Sequence, residues 1–112
     1  MVTLVNRAKM TAASGGTGTF SLSAAVDGFQ TFDAAGVLTG EVVSYAAENP
    51  SDPTEWEFGT GTYTTTGATL TRTVLGSSNA GAAVNFTNAP EVFVTALAED
   101  FGRRSLREGA AD

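Results

Sequence analysis

Glu55-Trp56-Glu57-Phe58-Gly59-Thr60-Gly61-Thr62-Tyr63-Thr64-Thr65-Thr66-Gly67-Ala68-Thr69-Leu70-Thr71-Arg72-Thr73-Val74-Leu75 is the stretch on which the fold turns. Its side chains alternate with the period of a strand. Trp56, Phe58, Thr60 and Thr62 share one face, while Glu55, Glu57 and Tyr63 share the other. Threonine and aromatic residues suit a pleated, half-buried surface. Thr66-Gly67 offers a turn, and the return limb sets Leu70, Arg72 and Val74 against Thr69, Thr71 and Thr73. The pattern predicts an antiparallel hairpin over residues 55–75.

The flanking sequence repeats this design in shorter pieces. Upstream, residues 17–23 place Phe20 and Leu22 on one face, and residues 41–48 place Val43 and Tyr45 opposite Val42 and Ser44. Residues 31–35 are set for one helical turn before Gly36. Residues 49–53 contain two prolines, which donate no amide hydrogen, and read as an exposed loop. Downstream, 83–86 and 91–98 read as the last strands. Thr17-Gly18-Thr19-Phe20 echoes Thr60-Gly61-Thr62-Tyr63. The plainer account is that a glycine in such a run lets another chain pass closely.

These elements predict an all-β fold, a single small antiparallel sandwich or barrel of about six to eight short strands. Residues 1–13 form an N-terminal arm or first strand, 14–98 the β domain and 99–112 a charged C-terminal tail. With Phe101 and Leu106 as its only large apolar residues, the tail cannot fold alone.

Composition removes whole classes of function. With 112 residues the chain has room for one modest core. It contains no cysteine and no histidine. That excludes disulfides, thiolate metal sites and the commonest general base. A net charge of −6 opposes a phosphate backbone. Arg103, Arg104 and Arg107 are the one basic group, and Glu99, Asp100, Glu108 and Asp112 surround them. No nucleic acid is expected as a partner. No run approaches a membrane span, and residues 1–10 lack the apolar stretch of a signal peptide, so no membrane partner is expected.

Candidate chemistry rests on oxygen atoms and aromatic rings. Glu55 and Glu57 stand two apart on one strand, about 7 Å between β-carbons, loosely compatible with a glycosidase pair. A solvated strand face is the plainer reading. Asn49, Ser51, Asp52 and Glu55 could offer calcium ligands but lack the spacing of a calcium loop. Gly15-Gly16-Thr17-Gly18 lacks the lysine and helix of a phosphate loop. Tyr45, Trp56 and Tyr63 could stack on a sugar if exposed together. No catalytic residue, metal or cofactor is expected.

Several short runs form a familiar succession: Thr17-Gly18-Thr19-Phe20, Gly28-Phe29-Gln30-Thr31-Phe32, Ala35-Gly36-Val37 and Val43-Ser44-Tyr45. The same holds for residues 56–63, for Leu70-Thr71-Arg72-Thr73-Val74, for Ser77-Ser78-Asn79 and for Val92-Phe93-Val94-Thr95-Ala96. Over about residues 17–100 the chain resembles small β-rich accessory modules of tailed bacteriophages and phage-like elements of α-proteobacteria. Those modules are stand-alone decoration or spike-base proteins, or tail-fibre N-terminal domains. The resemblance brings no catalytic motif. It implies a structural virion protein, made in the host cytoplasm, with the major capsid protein or other virion proteins as partners and homo-oligomers expected. A fibre anchor would continue into a receptor-binding region, whereas this chain stops twelve residues after Asp100. Capsid decoration is therefore the preferred expectation, with tail-fibre or baseplate attachment and a carbohydrate-binding module as alternatives. Subunit contacts are expected at Val2, Leu4, Phe101, Arg103, Arg104, Leu106 and Arg107. An unpaired strand edge could also receive a neighbour's arm.

Overall fold

The structure, a computed structural model, describes residues 2–101. Seven strands and one helical turn follow in order: β1 (Lys9–Ala12), β2 (Phe20–Ala25), α1 (Phe32–Ala35), β3 (Val42–Asn49), β4 (Asp52–Thr64), β5 (Thr69–Leu70), β6 (Thr73–Ser77) and β7 (Glu91–Val94). A 3₁₀ turn, Ala98–Phe101, ends the described chain. The all-β expectation holds. All named strand pairings are antiparallel, and β3-β7-β1-β2-β5-β4 close on themselves because β4 also pairs with β3. The result is a small barrel, and β6 continues along β4 outside the ring.

The decisive hairpin forms, but its return limb is split. β5 pairs with the end of β4 (Tyr63↔Leu70), and β6 pairs with its middle (Thr60↔Thr73, Glu57↔Ser77). Gly67 and Ala68 turn the chain with φ of 79° and 49°. Ala68 accepts this left-handed conformation at a steric cost that glycine avoids. Between β5 and β6 the ladder is interrupted at Thr71-Arg72, where Arg72 turns inward.

The core combines inward residues from every wall. Phe20, Leu22, Val43, Tyr45, Tyr63, Leu70 and Val92 are all buried, with Met10 and Ala12 from β1. Phe20 meets Tyr45 edge-on at 5.8 Å between ring centroids, within the range in which aromatic pairs attract. The predicted helical turn is present. Thr31 Oγ1 accepts from Ala34 N–H at 3.0 Å, and Gly36 closes it with φ 111°. It delivers Phe32 onto Tyr63, 5.6 Å between centroids.

Four expectations need correction. First, the inner and outer faces of β4 are reversed. Glu57, Gly59, Gly61 and Tyr63 face the interior and Trp56 is 41 % exposed. Gly59 and Gly61 have no side chains, so an inventory of apolar groups could not register their face as the inner one. A Cβ on Gly59 would collide with the Thr73 carbonyl, and one on Gly61 with the Thr71 carbonyl. Their bareness lets the split return limb fold over β4. The glycine rule applies to Gly61 but not to its echo, because Gly18 has open space around its Cβ position.

Second, residues 49–53 are not one exposed loop. Only Pro50-Ser51 turns, Asn49 is buried, and Pro53 lies inside β4. The register slips between Asn49↔Asp52 and Glu48↔Trp56, so Pro53 falls in an irregularity where no ladder bond is required of it. Third, residues 83–86 form no strand, because the Val84 amide bonds to the Glu57 carboxylate at 2.8 Å. Fourth, β7 ends at Val94. The chain beyond it crosses the outside of β3, where Asp100 accepts from Ser44 Oγ at 3.0 Å and from Leu97 N–H at 2.7 Å. This contact buries Ser44 on the outward side of its strand.

Near the N-terminus the described chain supplies strand β1, Lys9–Ala12. β1 lies between β2 and β7, and Thr3 N–H bonds to Val42 C=O at 2.7 Å.

Candidate interaction surface

The charged side chains of β4 are held by the barrel itself. Arg72, at the break between β5 and β6, has a side chain only 4 % exposed. Its Nε donates to Glu57 Oε2 at 2.9 Å and its Nη2 to Oε1 at 2.5 Å, a bidentate pair. Nη2 also reaches Val84 C=O at 2.7 Å, and Nη1 reaches the carbonyls of Gly18 and Gly16 at 3.1 and 3.4 Å. The guanidinium lies 4.2 Å from the Phe20 ring centroid. One arginine thereby ties two loops to a strand.

Glu57 is saturated in turn. Oε1 accepts from Arg72 and Val84 N–H, while Oε2 accepts from Arg72 and from the Tyr45 hydroxyl at 2.7 Å. Four donors occupy the acceptor sites of one carboxylate. Burial, then the bond to Glu57, pushes the Tyr45 phenol far above its ordinary range, so Tyr45 remains a donor.

Glu55 lies two residues away on the same side of β4. Its Oε1 accepts from Asn49 Nδ2 and Thr87 N–H, both at 3.0 Å, and its Oε2 from Thr87 Oγ1 at 3.0 Å. The Asn49 and Thr87 donors hold its carboxyl below the usual range. A glycosidase acid needs the opposite shift at Glu55, and hydrogen bonds within the barrel occupy both carboxylates. The plainer reading of the pair, a solvated face, is corrected at Glu57, which is only 1 % exposed.

The calcium candidates are likewise engaged in protein contacts. Asn49 donates to Glu55, Thr87 and Asn88 and accepts from Ser51 N–H. Asp52 accepts from the Thr54 hydroxyl and amide, which lower its pKa. Among the described residues no three acidic groups gather as metal ligands.

The outward side of β4 is different. Trp56 and Phe58 lie parallel, 6.2 Å between centroids and 3° between planes. Phe58 covers Gly76 of β6, leaving no room there for a Cβ. Phe58, Leu75, Ala96, Leu97, Ala98 and Glu99 line an open groove of about 490 Å³. Leu75 is 47 % exposed at its lip. The three-aromatic sugar platform is not assembled, because Tyr45 and Tyr63 lie in the core and only Trp56 is accessible.

Among the expected subunit contacts, Leu4 and Phe101 are exposed and Val2 is half-buried. Arg103, Arg104, Leu106 and Arg107 lie outside the described residues. The basic residues near the N-terminus serve the body itself. Arg7 stacks on Phe29 at 3.9 Å, and Lys9 pairs with Glu91 at 3.3 Å.

No protein-family model, curated protein or solved structure matches this chain. The residue that organises the interior, Arg72, was not singled out by the sequence reading. A signal was available: its parity places it with Leu70 and Val74, and a charge on an apolar face calls for a buried counter-charge. Glu57 shares its face with Tyr63 in the same way.

Proposed function

We propose that this chain is a structural component of a tailed-phage virion. In this reading it is a capsid decoration or cement protein that binds and stabilises the shell of major capsid protein, or seats a head spike. The family resemblance over residues 17–100 supplies the virion. The observation that carries the mode of action is the division of labour across β4. The carboxylates on its inner side are held by hydrogen bonds within the barrel, while Trp56 stands exposed on its outer side beside half-buried Phe58. Such a body acts through the surfaces it presents.

The mechanism is multivalent burial. Each copy needs only a modest interface, because many copies on one lattice add through effective concentration. Attachment to a tail fibre or baseplate uses the same physics at another station. Imaging the assembled particle at side-chain resolution separates the two, and the reading predicts density for this barrel on the shell. Particles lacking this chain should lose resistance to heat or chelation. Full-strength shells together with barrel density at the tail would overturn the decoration reading.

Exposed Trp56, stacked on half-buried Phe58, favours one second reading, a carbohydrate-binding module for host attachment. It predicts glycan binding that disappears in Trp56→Ala while the fold persists. Retention of binding by that variant would remove it.

A further inference from the structure

The outward side of β4 continues past its aromatic pair. Buried and accessible positions alternate from Trp56 to Thr64, so Thr60, Thr62 and Thr64 stand in line with Trp56 and Phe58. Threonines also face the two ends of this row, because Thr60 pairs with Thr73 on β6 and Thr64 with Thr69 on β5. Hydroxyl-bearing side chains thus recur about every 6.8 Å along the strand and about 5 Å across it. Strand propensity alone favours threonine, but three features go beyond propensity. Among the described residues, none offers a hydrogen bond to the hydroxyls of these five threonines, and Thr62 is engaged through its amide instead. The row carries no charge, although the chain bears −6. The exposed Trp56 ring, held parallel to Phe58, stands at one end.

We infer that this row is the binding site for a neutral, extended glycan chain, with Trp56 stacked on one sugar ring and the threonine hydroxyls bonded to those that follow. A threonine hydroxyl both donates and accepts, as every sugar hydroxyl does, so one unpaired row matches the other. The indole face suits the apolar C–H face of a sugar while the ring edge stays in water. An anionic glycan would find no cation in the row and would be repelled by the charge of the protein. From Trp56 to Thr64 the strand runs about 27 Å, which suits a chain of rings lying along β4 rather than a single one. The inference rests on the carbohydrate-binding reading and adds to it the class of ligand and the path it takes.

Binding of the full chain to an array of neutral glucans, xylans and galactans, printed from short to long oligomers beside sulfated and uronic acid forms, tests the row. Retention by a neutral glycan is expected, stronger for longer oligomers and insensitive to salt. The double variant Thr60→Val with Thr62→Val keeps the branched shape and removes two hydroxyls, and should weaken binding about tenfold or more. Thr17→Val, at an exposed residue between β1 and β2, should bind as the parent chain does. Circular dichroism on each variant checks that the barrel is retained. Binding lost in Trp56→Ala but unchanged in the double variant overturns the row and leaves the carbohydrate-binding reading standing. Preference for the anionic forms overturns the neutral ligand class. Failure to retain any glycan overturns both the row and the reading beneath it.

Discussion

The two faces of β4 differ in what their side chains leave available. On the inner side, Glu57 receives four hydrogen bonds and Arg72 makes five, so a charged pair sits in the wall of a 112-residue protein without an orphan. On the outer side, Trp56 is exposed and stacks on half-buried Phe58. Buried charge in a small barrel is strongly penalised unless satisfied, and here it fastens two loops to a strand. Exposed aromatic area is the reverse: it does little for the monomer and can do much for an interface. The comparison teaches that charge need not mark the reactive side of a strand.

Substitutions on the two faces should separate these roles. The largest effect is expected for Arg72→Ala, which strands the Glu57 carboxylate. Removing one partner of a buried pair costs about 3–5 kcal/mol. Urea denaturation would read this as a large drop in midpoint, and a loss under about 1 kcal/mol would show that the pair is not the fastening described. The double variant Arg72→Met with Glu57→Met should recover part of the loss. Recovery is incomplete because the carbonyls of Gly16, Gly18 and Val84 lose their donor.

Gly59→Ala comes next, at about 1–3 kcal/mol, because its methyl group collides with the backbone of β6. Hydrogen exchange should show β6 amides losing protection before those of β1 or β7. Equal loss throughout the barrel would place the strain elsewhere.

Tyr45→Phe removes one of the four donors to Glu57 and should cost about 1–2 kcal/mol. The pH dependence adds a sign. The folded phenol titrates above its unfolded value, so its stabilisation is complete below pH ~10 and is lost as pH rises further. Tyr63, raised by burial and by the charge of Asp33, acts in the same direction. An alkaline fall in melting temperature that weakens in Tyr45→Phe is expected, and an unchanged alkaline limb would remove Tyr45 as its source.

The smallest stability effect belongs to the outer face. Trp56→Ala should change stability by less than about 1 kcal/mol, as for a surface site, yet weaken attachment to particles. A loss of stability matching that of Arg72→Ala would erase the distinction between the faces.

Much of the architecture was legible because it is local. Strand parity in β2, β3 and β4, the Thr66-Gly67 turn and the Thr31–Gly36 caps follow from φ/ψ preferences and period-two alternation. Candidate sites were less legible. Glu55 and Glu57 stood out as a pair of carboxylates, but their partners Thr87, Arg72 and Val84 lie 15 to 32 residues away along the chain. No local spacing encodes those contacts. Residues 83–86 illustrate the same limit, since Val84 and Phe86 look strand-like but the Val84 amide is claimed by a side chain across the barrel.

By itself the sequence determined the all-β class and most of the strand-forming segments, the absence of cysteine and histidine, and the net acidic charge. Tertiary structure decided which face of β4 is inside, how the ring closes through β3, and which strand edge is left over. The reason is geometric. Alternation fixes only that two faces differ, whereas the inside is chosen by what the other strands can bring to it. Here that is an arginine able to satisfy a glutamate, and two glycines slim enough to let its chain come near.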